Sequence, residues 1–176
     1  MLLIALACAL GFSSCSTSNG LNGSVLGTST YRSPRADLNI PKSGHTRVRT
    51  TAYTHTEADH KVYGLKTALG TKLRCGSINS AASDWSRFPV GTTFKIEGDP
   101  KLYVIDDYGS ALVGTNTIDL YKPCHGTMNA WGAKHVNIKV LKWGSYSKSL
   151  KIMRERTHAR HVRRMVESLR SRVRQA

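Results

Sequence analysis

The sequence predicts an all-β fold: a small closed barrel set between an N-terminal signal and tether and a C-terminal basic amphipathic helix. Three observations carry this expectation. Short β-branched or aromatic runs recur from about residue 46 to residue 143. Gly- and Asp-rich turns divide them, and the apolar period becomes helical only in the last thirty or so residues. Many short strands in one small domain point to closure, because a closed sheet exposes no edges.

The 176 residues leave room for one ordinary domain plus tails. The chain opens on "LLIALACALGF", an apolar run too short for an ordinary membrane-spanning helix. The small polar stretch "SSCSTSNG" follows, as in a signal peptide and its cleavage zone. Cys15, directly after small residues, resembles a bacterial lipoprotein processing site. Residues 1–14 are therefore read as a lipoprotein-like signal peptide and residues 15–45, rich in Ser, Thr, Gly, Asn and Pro, as a flexible tether. Export to the cell envelope, as an outer-membrane lipoprotein or a periplasmic protein, is the expected location. Once Cys8 leaves with the signal and Cys15 is lipidated, Cys75 and Cys124 remain. In an oxidising compartment they are a candidate disulfide, with free buried thiols as the alternative. Neither cysteine fits a metal pattern, and no cofactor is implied.

The expected domain, residues 46–145, contains "TRVRTTAY", "TTFKIEG", "KLYVIDD", "TIDLY" and "KHVNIKVLKW" as strands. Turns are expected at Gly98-Asp99-Pro100, Gly109-Ser110 and Gly114-Thr115-Asn116, and one helical turn near "CHGTMNAW". In the last strand Val136, Ile138 and Val140 share one face.

Residues 146–176 are read as one basic amphipathic helix. Leu150, Met153, Val162, Met165, Val166, Leu169 and Val173 fall at helical spacing. Over the whole chain 26 Lys and Arg oppose 11 Asp and Glu, a net charge of +15, and much of the excess lies in this tail. Such a balance favours an anionic partner. The helix either packs its stripe on the barrel or binds anionic lipid or wall polymer, which with the lipid anchor makes a membrane an expected partner. Nucleic acid is disfavoured, because export argues against it and no readout motif is present.

The carboxylates stand out against this strand-rich background. In "TIDLY", Ile118 and Leu120 face the core, so Asp119 faces solvent or a groove. Adjacent Asp106 and Asp107 point to opposite sides of their strand, so at most one joins Asp119, and Asp106 is taken as the outward-facing one. Asp84 precedes an aromatic residue and a Phe-Pro-Val-Gly-Thr turn. The segments Ala82-Ser83-Asp84, Pro89-Val90-Gly91-Thr92, Asp107 through Gly114, and Ile118-Asp119-Leu120, with the closing "WGAKHVNIKVL", are ordered as in a known pattern. Together they resemble the three-aspartate (3D) domain, a double-psi β-barrel of bacterial cell-wall proteins similar to the barrel part of membrane-bound lytic transglycosylase A.

The resemblance implies a six-stranded double-psi barrel over residues 48–142. It implies lytic transglycosylase-like cleavage of the MurNAc–GlcNAc bond, with peptidoglycan glycan strands as substrate. Asp119 becomes the catalytic acid/base, Asp107 its charged neighbour, and Asp84 a loop brace or substrate contact. Glu57, beyond the first strand, is a candidate second acid or sugar ligand, and Tyr53, Trp85 and Tyr108 are candidates to stack on sugar faces. The rival reading is a non-catalytic wall-binding or expansin-like module that uses the same groove.

Overall fold

In a computed structural model, the structure describes residues 44–58 and 60–175. The expected signal peptide, most of the tether and Cys15 lie outside the described residues. Six strands run in the order β1 (His45–Tyr53), β2 (Ile78–Ser83), β3 (Thr93–Ile96), β4 (Leu102–Asp107), β5 (Thr117–Tyr121) and β6 (Lys134–Lys142). They close into a barrel with neighbours β1-β5-β2-β4-β3-β6. β1/β5 and β2/β4 are parallel, while the remaining contacts are antiparallel. Parallel neighbours need crossover connections rather than hairpins, and that is why sequence-adjacent strands are interleaved here. The closed six-stranded topology agrees with the double-psi barrel expected from the sequence.

Alternation fills the interior. Ile118 and Leu120 of β5, Phe94 of β3, Tyr103 and Ile105 of β4, and Ile138 of β6 are essentially inaccessible and form one cluster. β2 is the strand that composition hides. "INSAAS" has little β-propensity, yet it runs between β4 and β5 with Ala81 in the core.

The tail is two helices, not one: α2 (Tyr146–Arg154) and α3 (Arg160–Gln175), after the short α1 (His125–Trp131). Neither Gly nor Pro marks the break at residues 155–159. Tertiary packing imposes it. Folding back lets Leu150 and Met153 of α2 meet Val162, Met165, Val166 and Leu169 of α3, and all six join the barrel's own cluster. Arg163 Nη1 then donates to the carbonyls of Thr157 and His158, both at 2.9 Å, satisfying groups the broken helix leaves open. The apolar stripe is thus spent on the barrel, and only the basic faces stay exposed.

The hairpin is stitched to the barrel at residues 89–92. Ser149, buried, donates its hydroxyl to the Ser145 carbonyl and accepts from the Val90 amide at 3.0 Å. The Ser145 amide donates to the Val90 carbonyl, and the Gly144 amide to Thr92 Oγ1.

Candidate functional site

A groove of about 880 Å³ opens where the ends of β1, β4 and β5 meet the loops after β1. Its floor follows from strand register. Ala82 of β2 pairs with Asp119 of β5 on one side and with Asp107 of β4 on the other. Both carboxylates therefore flank one small residue on one face of the sheet, about 10 Å apart at Cα by two strand spacings.

A β-bulge selects which aspartate does this. Ala81 pairs with Ile105 but Ala82 with Asp107, so Asp106 is the extra residue on β4. Strict alternation after inward Ile105 would put Asp106 in the groove. The bulge rotates Asp107 there instead, a familiar use of bulges beside sites. Asp106 is not outward-facing in the solvent sense: it is fully buried, held by Arg74 at 2.9 Å and the Ser80 hydroxyl at 2.8 Å. Burial raises its pKa, against the lowering effects of Arg74 and Ser80.

Asp107 is nearly buried and held on both oxygens. Oδ1 accepts from the amides of Ala68 (3.1 Å) and Tyr108 (2.9 Å), and Oδ2 from the Tyr53 hydroxyl (3.1 Å). Burial pushes its pKa up, with the Tyr108 and Ala68 amides, the His60 charge and the Tyr53 hydroxyl opposing. Burial, then the charges of Asp107 and Asp106, hold the Tyr53 phenol well above its ordinary range, so it remains a donor. Asp119 is half-buried, and its Oδ1 accepts from the hydroxyl of Thr51, its register partner on β1, at 2.7 Å.

Glu57 lines the groove, and its Oε2 accepts from the Thr54 amide at 3.0 Å. Tyr53 and Tyr108 line it as well, so five of the expected residues (Asp107, Asp119, Glu57, Tyr53, Tyr108) come together. Asp84 and Trp85 do not. Asp84 is buried, accepting from the Ser86 amide and hydroxyl on Oδ1 and from the Gly114 amide on Oδ2 at 2.7 Å, which makes it a brace between two loops. Trp85 has no exposed surface for a sugar. Its Nε1–H donates to the Asp107 carbonyl at 2.7 Å and its ring meets Tyr108 edge-on, so it positions the groove from behind.

The expected Cys75–Cys124 bridge is absent, and both thiols are free and exposed. Cys124 caps α1, where its sulfur lies 3.4 Å from the Thr127 hydroxyl, whose hydrogen bond leads the causes lowering its pKa.

Several lining residues were not legible beforehand. Tyr63, largely exposed, stands beside His60 on one lip, while Arg156 and His158 reach the groove from the turn between α2 and α3 and His161 from the start of α3. The apolar-polar disorder of "KVYGLK" hides Tyr63, and reading the tail as one helix hid the other three.

The family model described as 3D domain matches residues 79–142. The match runs from β2 through the last residue of β6, and so contains Asp84, Asp107 and Asp119. β1 with Tyr53, the loop with Glu57 and the helical hairpin lie outside it. No curated protein matches the chain.

Proposed function

With residues 79–142 carrying the 3D domain, we propose that the chain is a lytic transglycosylase-like enzyme of cell-wall turnover that cleaves the MurNAc–GlcNAc bond of peptidoglycan. The association of this family with lytic transglycosylase-like barrel domains supports the reaction class. The single observation that carries the reading is the pairing of Ala82 with both Asp107 and Asp119, which sets two carboxylates on one groove floor.

In this reading Asp119 protonates the glycosidic oxygen, then as carboxylate takes the proton of the MurNAc 6-hydroxyl as that oxygen attacks the anomeric carbon. The product is a 1,6-anhydro sugar, and no water is consumed. One acid/base group serves both steps, unlike the paired carboxylates of ordinary glycosidases. Asp107, fixed by three donors, supplies a nearby negative charge that favours the protonated form of its neighbour and the cationic character of the transition state. Thr51 orients Asp119, and Tyr63 and Tyr108 offer aromatic faces to sugar. The reading carries an envelope location with it. The apolar leader and Cys15 support export and lipid anchoring, and the basic outer faces of the hairpin support contact with an anionic surface.

Full-length protein incubated with purified sacculi is expected to release 1,6-anhydro muropeptides, detected by mass spectrometry. Asp119→Asn is expected to lower the rate by roughly 10²- to 10⁴-fold, the usual contribution of a general acid/base. Sacculus binding without soluble products from the wild type would instead make the chain a wall-binding module.

A further inference from the structure

The groove has two chemistries. Glu57, Asp107 and Asp119 make one part acidic, whereas the turn between α2 and α3 and the start of α3 bring Arg156, His158 and His161 to another wall. These three basic side chains have no part in the acid/base step.

Arg156 is half-buried, donates one Nη2 hydrogen bond to the Ala68 carbonyl at 2.9 Å, and has its guanidinium carbon 6.0 Å from the centre of the Tyr108 ring. The other face of the same Ala68 residue, its amide, donates to Asp107. The arginine is thus fixed one residue away from the groove floor. Among the described residues its charge meets no carboxylate at ion-pair distance, the ion pair there being Arg74–Asp106. A guanidinium has five donors in a planar fork, and a single carbonyl leaves most of them unused. Docking of the hairpin does not require the charge, since Leu150, Met153, Met165 and Leu169 supply the buried contact. His161 stacks obliquely 6.1 Å from Tyr108, and His158 is exposed beside it. Each imidazole donates at least one N–H whatever its protonation state.

We propose that this turn and the start of α3 form an anion subsite of the groove, taking a carboxylate carried by the sugar substituent next to the bond to be cleaved. The assignment rests on the glycan reading above. One half-buried guanidinium matches one carboxylate in charge and in planar geometry. The carboxylate has two possible sources on such a strand: the lactyl group of a peptide-free muramic residue, or the peptide attached to it.

Binding separates this from the cleavage reaction. Full-length Asp119→Asn protein would be titrated with four soluble strands: peptide-free, peptide-bearing, and each of these after carbodiimide amidation of its carboxyl groups. At least one unmodified strand is expected to bind roughly tenfold more tightly than its amidated counterpart, as one charge-assisted bidentate contact allows. The pair that shows the difference identifies the source. Adding Arg156→Gln is expected to bring that pair within twofold of each other. His158→Gln, at an exposed position, serves if the arginine variant fails to fold, and is expected to shrink the preference about threefold. Equal binding of unmodified and amidated strands, or a preference untouched by both substitutions, would overturn the subsite. A preference without anhydro products from the wild type would remove the enzyme and keep the subsite, and products without a preference would do the reverse.

Discussion

Gly144→Ala tests how the hairpin is held on the barrel, and so how Arg156 reaches the groove. Gly144 lies between β6 and α2 at a close approach to the 89–92 turn. A Cβ there would run into the carbonyl oxygens of Pro89 and Val90 and sit 2.6 Å from the Thr92 nitrogen. All three are backbone atoms, so no side-chain rotation relieves the overlap. If the structure holds, overpacking costs about 1–3 kcal/mol. If it yields, three hydrogen bonds are lost: Gly144 amide to Thr92, Ser145 amide to Val90, and Val90 amide to Ser149. At a net value of about 1 kcal/mol each, that route costs about 3 kcal/mol. Both routes converge on a destabilisation of about 2–3 kcal/mol, or roughly 10 °C in Tm for a domain of this size. Thermal unfolding by circular dichroism measures it, with Gly76→Ala as the control. Gly76 is exposed, has an ordinary φ and has nothing within 4 Å of its would-be Cβ, so its variant should stay within about 2 °C of wild type. A Gly144→Ala midpoint as close to wild type as the control's would refute the claim that this contact holds the hairpin.

Two further outcomes are expected. Burial raises the folded-state pKa of Asp107 above the ordinary carboxylate value, so the favourable contribution of its neutral form is complete below the ordinary value and is lost as pH rises through the folded one. Asp107→Asn keeps a neutral group there, so its Tm relative to wild type should climb as pH rises above the ordinary carboxylate range, and a flat or falling difference in calorimetry would contradict the burial argument. Cys75 and Cys124 are free and exposed, so both should be alkylated by iodoacetamide without reductant, as read by peptide mass mapping; a disulfide-linked peptide pair would restore the bridge.

Much of the fold was legible because its strands alternate over an apolar core. Ile118 and Leu120 point inward as their pattern requires, and that alone turns Asp119 towards the groove. What escaped was set by tertiary context. "INSAAS" is missing from the expected strands because Ser and Ala have low strand propensity, yet it pairs with both β4 and β5. The tail reads as one helix because its apolar spacing is nearly continuous, and only the benefit of burying both stripes on each other and on the barrel breaks it. Trp85 looks like a sugar platform by residue type. Whether an aromatic faces a groove or packs behind it is decided by the strand ends around it, which no local pattern records.

The two adjacent aspartates show how a local rule can reach the right residue while the ladder's register does the deciding. Alternation requires Asp106 and Asp107 to face opposite sides, and they do serve different surroundings. Counting by twos from inward Ile105 nevertheless assigns the groove to Asp106. One inserted residue in the ladder against β2 shifts the count, puts Asp107 opposite Ala82 and leaves Asp106 buried under Arg74. The insertion leaves a buried carboxylate that Arg74 and Ser80 must satisfy, a costly arrangement for a strand whose only task is packing. What it decides is which carboxylate shares the floor with Asp119: Asp107 rather than Asp106, next to a residue small enough to leave the space between them open. The bulge thus re-aims one side chain at the end of β4, the use of bulges common beside sites.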